Sequence, residues 1–208
     1  MIRVLSNSVP GEHFTMLVSG GIDSIAAAHW MKHAYRREFT ILHFNHNIQD
    51  ANDHMENAVS SFAEQFTIPI KVIRSLNKLK SSEDKLREWR LNEMSNLTGN
   101  FVTGHHLNDA VENYLDNCFK GCPEYKPIQE VTHFKQFSIY HPFITTTKES
   151  FTQYAKKHNL DQFVVVDPTN TDIKYKRNWI RNNIAQEVYN RNIGIEKIVK
   201  NKFYNNVK

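Results

Sequence analysis

A six-residue segment, SGGIDS from Ser19 to Ser24, constrains this chain more than any other feature. It follows a short apolar, β-prone segment at 14–18 and leads into an alanine-rich helical stretch. Glycines at such a junction let the backbone turn sharply and approach a ligand closely. The following helix directs unpaired N–H groups and its positive dipole end at the turn. The sequence therefore predicts an anion site where a buried strand meets a helix.

The side chains of this turn suit phosphate oxygens. The hydroxyl groups of Ser19 and Ser24 can add hydrogen bonds. Asp23 would repel a phosphate unless a cation lay between them, so we expect it to bind Mg²⁺ or to orient the turn. The sequence contains neither GxxxxGK[ST] nor GxGxxG, which excludes two other phosphate-binding loops. The alternative interpretation of the SGG tripeptide is an ordinary turn between strand and helix.

Short apolar segments alternate with helical patterns along most of the chain, which predicts an α/β fold. We expect a doubly wound, Rossmann-like, parallel five-stranded sheet with right-handed crossovers. The five strands are predicted at 14–18, 39–45, 68–74, 100–106 and 137–143.

Three other segments carry weaker signals. FVVVD at 163–167 is predicted to be a further short strand, whereas 46–54 and 122–136 are expected to be loops. The tail from about Lys174 is predicted to form one or two basic amphipathic helices. A domain boundary is expected either within 122–136 or just after the fifth strand. We place it after residue 145, which separates a domain at 1–145 from a helical basic C-terminal extension at 146–208.

Charge is distributed unevenly between the two parts of the chain. Residues 1–119 carry 11 basic and 14 acidic side chains, whereas residues 120–208 carry 15 and 8. The net charges are therefore −3 and +7. A basic C-terminal part suggests a polyanionic partner such as nucleic acid, or alternatively a solvated lysine-rich surface.

Other bulk features favour a soluble cytoplasmic protein. Cys118 and Cys122 are the two cysteines, so the sequence implies no disulfide framework. The first residues lack the apolar core of a signal peptide. No apolar run approaches the roughly 20 residues that span a bilayer.

The SGGxDS pattern resembles the signature of the PP-loop, or N-type ATP pyrophosphatase, superfamily. The resemblance implies a fold of the adenine nucleotide alpha hydrolase type, with ATP and Mg²⁺ as cofactors. It also implies that ATP is cleaved between its α and β phosphates. The implied ATP-binding residues are Ser19, Gly20, Gly21, Ile22, Asp23, Ser24, Phe44 and Asn45.

Further segments resemble the tRNA(Ile)-lysidine synthetase family in their order along the chain. They are HFNHN at 43–47, EDKLREWR at 83–90, TGHHLNDAVEN at 103–113, HPF at 141–143, DPTN at 167–170 and YKRNWIR at 175–181. Gln49, Asn108 and His141 stand where that family has charged residues. The family usually carries additional C-terminal tRNA-binding domains, so the resemblance is to a short form.

The resemblance implies an ATP-dependent ligase that forms a C–N bond. It would adenylate a tRNA anticodon cytidine and join lysine to it, releasing AMP and pyrophosphate. The implied partners are tRNA and free lysine, with no membrane, and a homodimer is left open. The implied catalytic residues are Asp23, which is also the metal ligand, Arg87, His105 and Asp109. The implied substrate-binding residues are Glu112, Lys120, Lys176, Arg177 and Arg181, the last three alternatively stabilising the helical tail.

Three alternatives stay open. A PP-loop enzyme that thiolates a tRNA base would need a CxxC pair or a persulfide carrier, and the spacing of Cys118 and Cys122 fits neither. A PP-loop amidotransferase or small-molecule ligase would not need the basic C-terminal part. A non-catalytic tRNA- or nucleotide-binding homologue would tolerate replacement of Asp23, Arg87 and Asp109.

Overall fold

The computed structural model describes residues 1–11, 13–48, 50–76, 82–166, 176–191 and 194–204. The expectations at Gln49, at 167–170 and at Tyr175 lie outside the described residues. The division at residue 145 stays a prediction.

Strands and helices alternate through the described residues. The strands are β1 Phe14–Leu17, β2 Phe39–Asn45, β3 Ile70–Arg74, β4 Gly99–Val102, β5 Val131–His133 and β6 Phe137–Tyr140. The α-helices are α1 Ile22–His33, α2 Asp50–Gln65, α3 Glu83–Leu97, α4 Leu107–Phe119, α5 Lys148–Lys157, α6 Lys176–Trp179, α7 Gln186–Asn190 and α8 Ile195–Tyr204. Two 3₁₀ turns, Ser6–Ser8 and Leu160–Phe163, and a π-helix, Ile180–Ala185, accompany them.

The six strands form one sheet in the order β3-β2-β1-β4-β6-β5. Pairing is parallel from β3 to β6, and β5 runs antiparallel to β6 at the edge. In the centre of the sheet, Met16 lies opposite Ile41 on one side and Val102 on the other. The predicted α/β class and its five parallel strands are thus confirmed, with one antiparallel strand added.

Three segments differ from their predicted conformation. The loop expected at 46–54 is wrong from Asp50 onward, because helix α2 begins there. Strand β5 lies inside 122–136, where a loop was expected, and its three residues pair only with β6. The strand predicted at 163–167 is wrong for its described residues, because Phe163 ends a 3₁₀ turn and 164–166 join no strand. Phe163 is buried against Phe62, and the Val165 N–H donates to the Gly20 carbonyl at 3.0 Å. Contacts with α2 and with the turn at 19–24, here called the phosphate turn, replace the expected strand pairing.

Helices cover both faces of the sheet, as in a doubly wound fold. On one face, Ala26, Ala27 and Ala28 of α1 are fully buried, because small side chains let this helix lie close against the strands. Helix α5 packs against α1 and adds Phe151 and Ala155 to the same core. On the other face, Met94 of α3 packs against Leu42 and Phe101.

Helix α4 carries the C-terminal helices. Leu107 and Val111 on its inner side pack with Ile195, Val199 and Phe203 of α8. No helix among the described residues combines the length and apolar character needed to cross a bilayer. The carboxyl ends of β1, β2, β4 and β6 lie at one edge of the sheet, where open α/β sheets bind ligands.

Candidate active site

The phosphate turn occupies the junction between β1 and α1, as the sequence predicts. Gly20 has a φ of +90°, which disfavours residues with a side chain, and a Cβ there would lie 3.3 Å from Met55 Cβ. Helix α1 begins after Gly21, and no side chain caps it. Its first N–H groups therefore stay available as donors for an anion.

The two serines of the turn hold each other in place. Ser24 Oγ donates to the Gly21 carbonyl at 2.9 Å and accepts from the Ser19 N–H at 3.1 Å. Ser19 Oγ lies 3.2 Å from Ser24 Oγ. These bonds fix the turn before any ligand binds, so its donors are preorganised.

Asp23 has one engaged and one open carboxylate oxygen. Its Oδ2 lies 3.4 Å from His106 Nε2, at the start of α4. Its Oδ1 is buried and has no hydrogen-bond partner among the described residues. A buried carboxylate oxygen without a donor is costly unless a ligand or cation satisfies it.

His106 and Asp109 begin α4 with a reciprocal capping box. The His106 N–H donates to Asp109 Oδ2 at 3.0 Å, and the Asp109 N–H donates to His106 Nδ1 at 3.4 Å. Burial disfavours the charge on His106, but Asp109 and Asp23 raise the pKa of its ring. Burial likewise opposes ionisation of Asp109, but His106, His105 and Arg177 hold the pKa of its carboxyl well below the usual range. Asp109 is therefore an anion at neutral pH.

His105 pairs with His141 across the ends of β4 and β6. Thr103 Oγ1 lies 2.7 Å from His141 Nδ1 and 3.1 Å from His105 Nδ1, and the two Nδ1 atoms are 3.1 Å apart. Burial lowers the pKa of His105 to about 4, and burial together with His105 and Arg87 lowers that of His141 to about 3. Both rings are neutral at pH 7, so this end of the site holds uncharged imidazoles.

The spacing of four residues between His105 and Asp109 would let one side chain orient the other, but the structure gives them different partners. His105 bonds to Thr103 and His141, whereas Asp109 bonds to His106 and to Arg177. The two groups still interact electrostatically, since Asp109 opposes the fall in the His105 pKa. Sequence spacing alone could not decide which of the two adjacent histidines faces Asp109.

Helix α3 brings two arginines to the histidine pair. Arg87 lowers the pKa of His141, and Arg90 lowers that of His105, so both cations lie close enough to act on the rings. Ser82 caps this helix by accepting from the Lys85 N–H at 3.4 Å. His105 and Asp109 therefore lie at the same edge of the sheet as the phosphate turn, and the charge of Arg87 acts on His141 beside them.

Two arginines of the tail bind the acidic face of α4. Arg181 grips Glu112 with two bonds, Nε to Oε1 at 2.6 Å and Nη2 to Oε2 at 3.0 Å. Arg177 bridges Asp109 Oδ1 at 2.7 Å and Glu112 Oε2 at 3.1 Å. Glu112 is buried, so this pairing compensates the cost of its desolvation. Of the two alternatives for these arginines, the structure displays the bonds that stabilise the tail.

The lysines predicted to bind substrate both contact Asp116, which lies one helical turn after Glu112 on α4. Lys176 Nζ is 2.5 Å from Asp116 Oδ1, and Lys120 contacts the other oxygen of Asp116. Both lysine side chains stay more than half exposed. They are available to a polyanion while remaining fixed at the protein surface.

The two residues predicted at the nucleoside have protein partners. Asn45 is buried, and its Nδ2 donates to Asp53 at 3.0 Å and to Glu56 at 2.8 Å, which ties the end of β2 to α2. Phe44 meets the ring of Trp89 edge-on at 5.5 Å. A nucleoside contact at Asn45 would therefore use its backbone or require a rearranged side chain.

Sequence reasoning assigned no individual role to three residues of this site. His106 joins Asp23 to Asp109, and its spacing of three from Asp109 is a capping signal that could have indicated it. Thr103 joins the two histidines. A Cβ on Gly104 would come within 3.2 Å of Ser24 Cα and 3.3 Å of the Asp23 carbonyl oxygen, so the β4–α4 turn lies directly against the phosphate turn.

Known proteins are similar to this chain in sequence. The tRNA(Ile)-lysidine synthase of Staphylococcus aureus (strain COL) is 27% identical over 197 residues, which cover 87% of this chain and 45% of that protein. The protein of the same name from Mycoplasma mycoides subsp. mycoides is 25% identical, over 98% of this chain and 56% of its own length. The chain spans about half the length of these curated relatives.

A solved structure supports the fold at low sequence identity. The U34-tRNA thiolase NcsA of Methanococcus maripaludis superposes with a TM-score of 0.73 at 17% identity, covering 93% of this chain and 71% of that one. A sequence model of the PP-loop domain matches residues 2–188. That match covers most of the 208 residues and includes the turn at 19–24, and so the chain belongs to the PP-loop domain family.

Proposed function

We propose that this chain is an ATP-dependent RNA-modifying ligase that adenylates an unpaired tRNA cytidine and joins the amine of free lysine to it. The observation that carries the proposal is the contact between two turns. The phosphate turn meets the β4–α4 turn through Gly104 and through the 3.4 Å approach of His106 to Asp23. A nucleotide and a second substrate can therefore meet there. The names of the sequence relatives support RNA as that second substrate.

The phosphate turn suits a nucleoside triphosphate with one divalent cation. Mg²⁺ usually takes one or two protein carboxylates and completes its shell with phosphate oxygens and water. Asp23 Oδ1, buried and without a donor among the described residues, supplies such a carboxylate oxygen. Asp23 would hold the ion, which would offset the negative charge of the phosphates.

The proposed reaction has two bond exchanges. A carbonyl oxygen of the base bonds to the α-phosphorus as the bond to pyrophosphate breaks. The lysine amine then bonds to the activated carbon as the carbon–oxygen bond to AMP breaks. The protein contributes mainly position and charge, as is general in phosphoryl transfer.

The described side chains suit these roles. Arg87 and Arg90 would stabilise charge that develops on the transferred phosphate. Ionised Asp109 would orient the amine, and the neutral ring of His105 offers an acceptor nitrogen for its proton. Glu112 is the weaker candidate for holding the amine, because three bonds from arginines occupy its two oxygens, whereas Asp109 accepts one bond from an arginine and one from a backbone N–H.

A thiolation reaction is the principal rival because of the solved structure, which carries a [4Fe-4S] cluster. Such clusters are usually held by four cysteine thiolates. This sequence has two cysteines, Cys118 and Cys122, so its own thiols could not supply that set. Thiolation by this chain would therefore need a partner that supplies sulfur.

One assay tests the proposal. The protein is incubated with ATP, Mg²⁺, labelled lysine and a tRNA with a CAU anticodon, and we expect labelled RNA together with AMP and pyrophosphate. A tRNA without the anticodon cytidine serves as the substrate control. ADP and orthophosphate as products, or nucleotide turnover that is indifferent to RNA, would refute the proposal. Size-exclusion chromatography of the same sample tests whether the chain forms the homodimer that the sequence leaves open.

A further inference from the structure

We infer that an exposed aromatic and basic surface at the far end of α4 binds unpaired bases of an RNA loop while one base occupies the reaction centre. This inference rests on the proposed function. The surface, here called the stacking surface, consists of Phe119, Lys120, Lys176 and Trp179.

Two large aromatic side chains form its centre. Phe119 ends α4 and is 53% exposed, and Trp179 ends α6 and is 40% exposed. Their ring centroids are 6.2 Å apart, although they are 60 residues apart in the sequence. Exposed apolar groups that converge from separate elements mark interaction sites more often than single exposed residues do. Such rings offer faces on which bases of any sequence can stack.

Two cations flank the rings. Lys120 and Lys176 both contact Asp116, and their side chains are 59% and 56% exposed. One carboxylate cannot neutralise two ammonium groups, so the surface keeps a positive charge. A cationic surface beside aromatic rings matches the phosphates and bases of a single strand. It suits an apolar protein partner less well, because burying these lysines would cost desolvation energy.

The stacking surface lies on the same face of α4 as the reaction centre. Asp109, Glu112, Asp116 and Phe119 follow each other at spacings of three, four and three, which places them on one stripe of the helix. The ten helical steps from Asp109 to Phe119 span about 15 Å along the helix axis. An RNA loop can therefore reach both ends of the stripe, one base entering the site and its neighbours stacking on the rings.

Unpaired RNA fits this arrangement better than a duplex. Bases in a duplex stack on each other and leave no face for Phe119 or Trp179, whereas loop bases can be splayed out onto aromatic side chains. The occupant that we assign is thus the single-stranded loop of an RNA hairpin.

Photo-crosslinking tests the contact in the unaltered protein. An RNA hairpin with 5-iodouridine in its loop is irradiated with the protein, and the attached peptides are identified by mass spectrometry. We expect crosslinks at Phe119 or Trp179, and none from a blunt duplex with 5-iodouridine in its strands. Crosslinks confined to other segments, or equal crosslinks from the duplex, would overturn the inference.

Affinity measurements supply the second test. Trp179→Ala and Phe119→Ala should each weaken hairpin binding roughly five- to a hundredfold, because stacking contributes about 1–3 kcal/mol per base. Trp179→Phe should restore most of the affinity, and duplex binding should change less than twofold. Tyr204→Ala is the matched control, since Tyr204 is a 50% exposed aromatic on α8.

The outcomes separate this inference from the proposed function. If the alanine variants bind the hairpin as tightly as the unaltered protein, the inference fails, even if RNA-dependent release of pyrophosphate continues. If the unaltered protein is a dimer and Trp179→Ala is a monomer, the rings form an interface between copies and the inference fails. Loss of hairpin affinity in both alanine variants, with ATP binding retained, supports it.

Discussion

The phosphate turn and helix α4 differ in how their buried carboxylates are satisfied. At the turn, Asp23 keeps a buried oxygen without a partner among the described residues. On α4, both oxygens of Glu112 accept hydrogen bonds from arginines of the same chain. A buried group left open is available to a ligand, whereas a group already paired maintains the fold. Residues that look equally functional in the sequence can therefore be separated by whether the protein already satisfies them.

Removing an arginine that pairs with Glu112 should have the largest effect on stability. Arg181→Ala removes both bonds of that arginine to Glu112, and we expect the free energy of unfolding to fall by about 3 kcal/mol, because a buried carboxylate loses much of its compensation. Urea denaturation measures this. Arg191→Ala is the control, since its bond to Glu187 is exposed and should contribute less than about 1 kcal/mol. Equal losses in both variants would contradict the comparison.

Neutralising the Asp23 carboxylate should lower activity and leave the free energy of unfolding nearly unchanged. Asp23→Asn should lower RNA-dependent release of pyrophosphate roughly hundredfold, because the charge that offsets a cation is gone. Its free energy of unfolding should change by less than about 1 kcal/mol, because Asp23 Oδ1 makes no bond within the described residues. Asp161→Asn, at an exposed carboxylate, is the matched control. A large loss of stability in Asp23→Asn would show that this carboxylate is structural.

A third type of buried group sharpens the comparison, because it is neither open nor paired with an opposite charge. His29 of α1 is buried with Nδ1 2.9 Å from the hydroxyl of Tyr154, and His33 and His158 lie beside it. Burial, together with these two histidines, lowers the pKa of His29 from 6.5 to about 4. The unfolded chain therefore binds a proton first as the pH falls.

Stability should accordingly drop as the pH is lowered from about 6.5 towards 4, and it should be fully present above 6.5. His29→Gln should remove on the order of 2 kcal/mol of that drop in denaturation curves taken across this window. His13→Gln, at an exposed histidine, should leave the drop unchanged. An equally steep drop in His29→Gln would assign the acid sensitivity to other groups, such as His105 and His141.

The smallest effect is expected from a change in the backbone of the phosphate turn. Gly20→Ala should cost about 1 kcal/mol of stability, since a φ of +90° strains any residue with a Cβ. It should also weaken ATP binding, because Met55 would press on the turn at 3.3 Å. Thermal unfolding with and without ATP measures both changes. Gly11→Ala is the control, since a Cβ there meets nothing within 4 Å.

The parts of the fold that local pattern specifies were predictable. The parallel strands are short apolar runs, and the phosphate turn is a contiguous motif, so neither needs knowledge of distant residues. Strand β5 was missed because Val131, Thr132 and His133 show no alternation and depend on β6 for pairing. The apolar run after Phe163 suggested a strand, but tertiary packing against α2 overrode its β propensity.

The sequence predicts which residues form the site, but it does not predict which of them bond to each other. The sequence indicates Asp109, Glu112, Arg177 and Arg181 as a set, yet their bonds join positions 65 to 69 residues apart. Spacing along the chain cannot say whether an arginine meets a substrate or a carboxylate of its own protein. The same limit applies to His141, which the sequence marks only as a substitution and which the fold places beside His105.

Gly104 carries a consequence for anyone who would redesign this molecule. Because Gly104 has no side chain, the backbone of the β4–α4 turn lies directly against the backbone of the phosphate turn. Altering one turn displaces the other, so substrate choice and nucleotide use would have to be retuned together. Variants selected for a new acceptor should accumulate compensating changes on the nucleotide side of that contact.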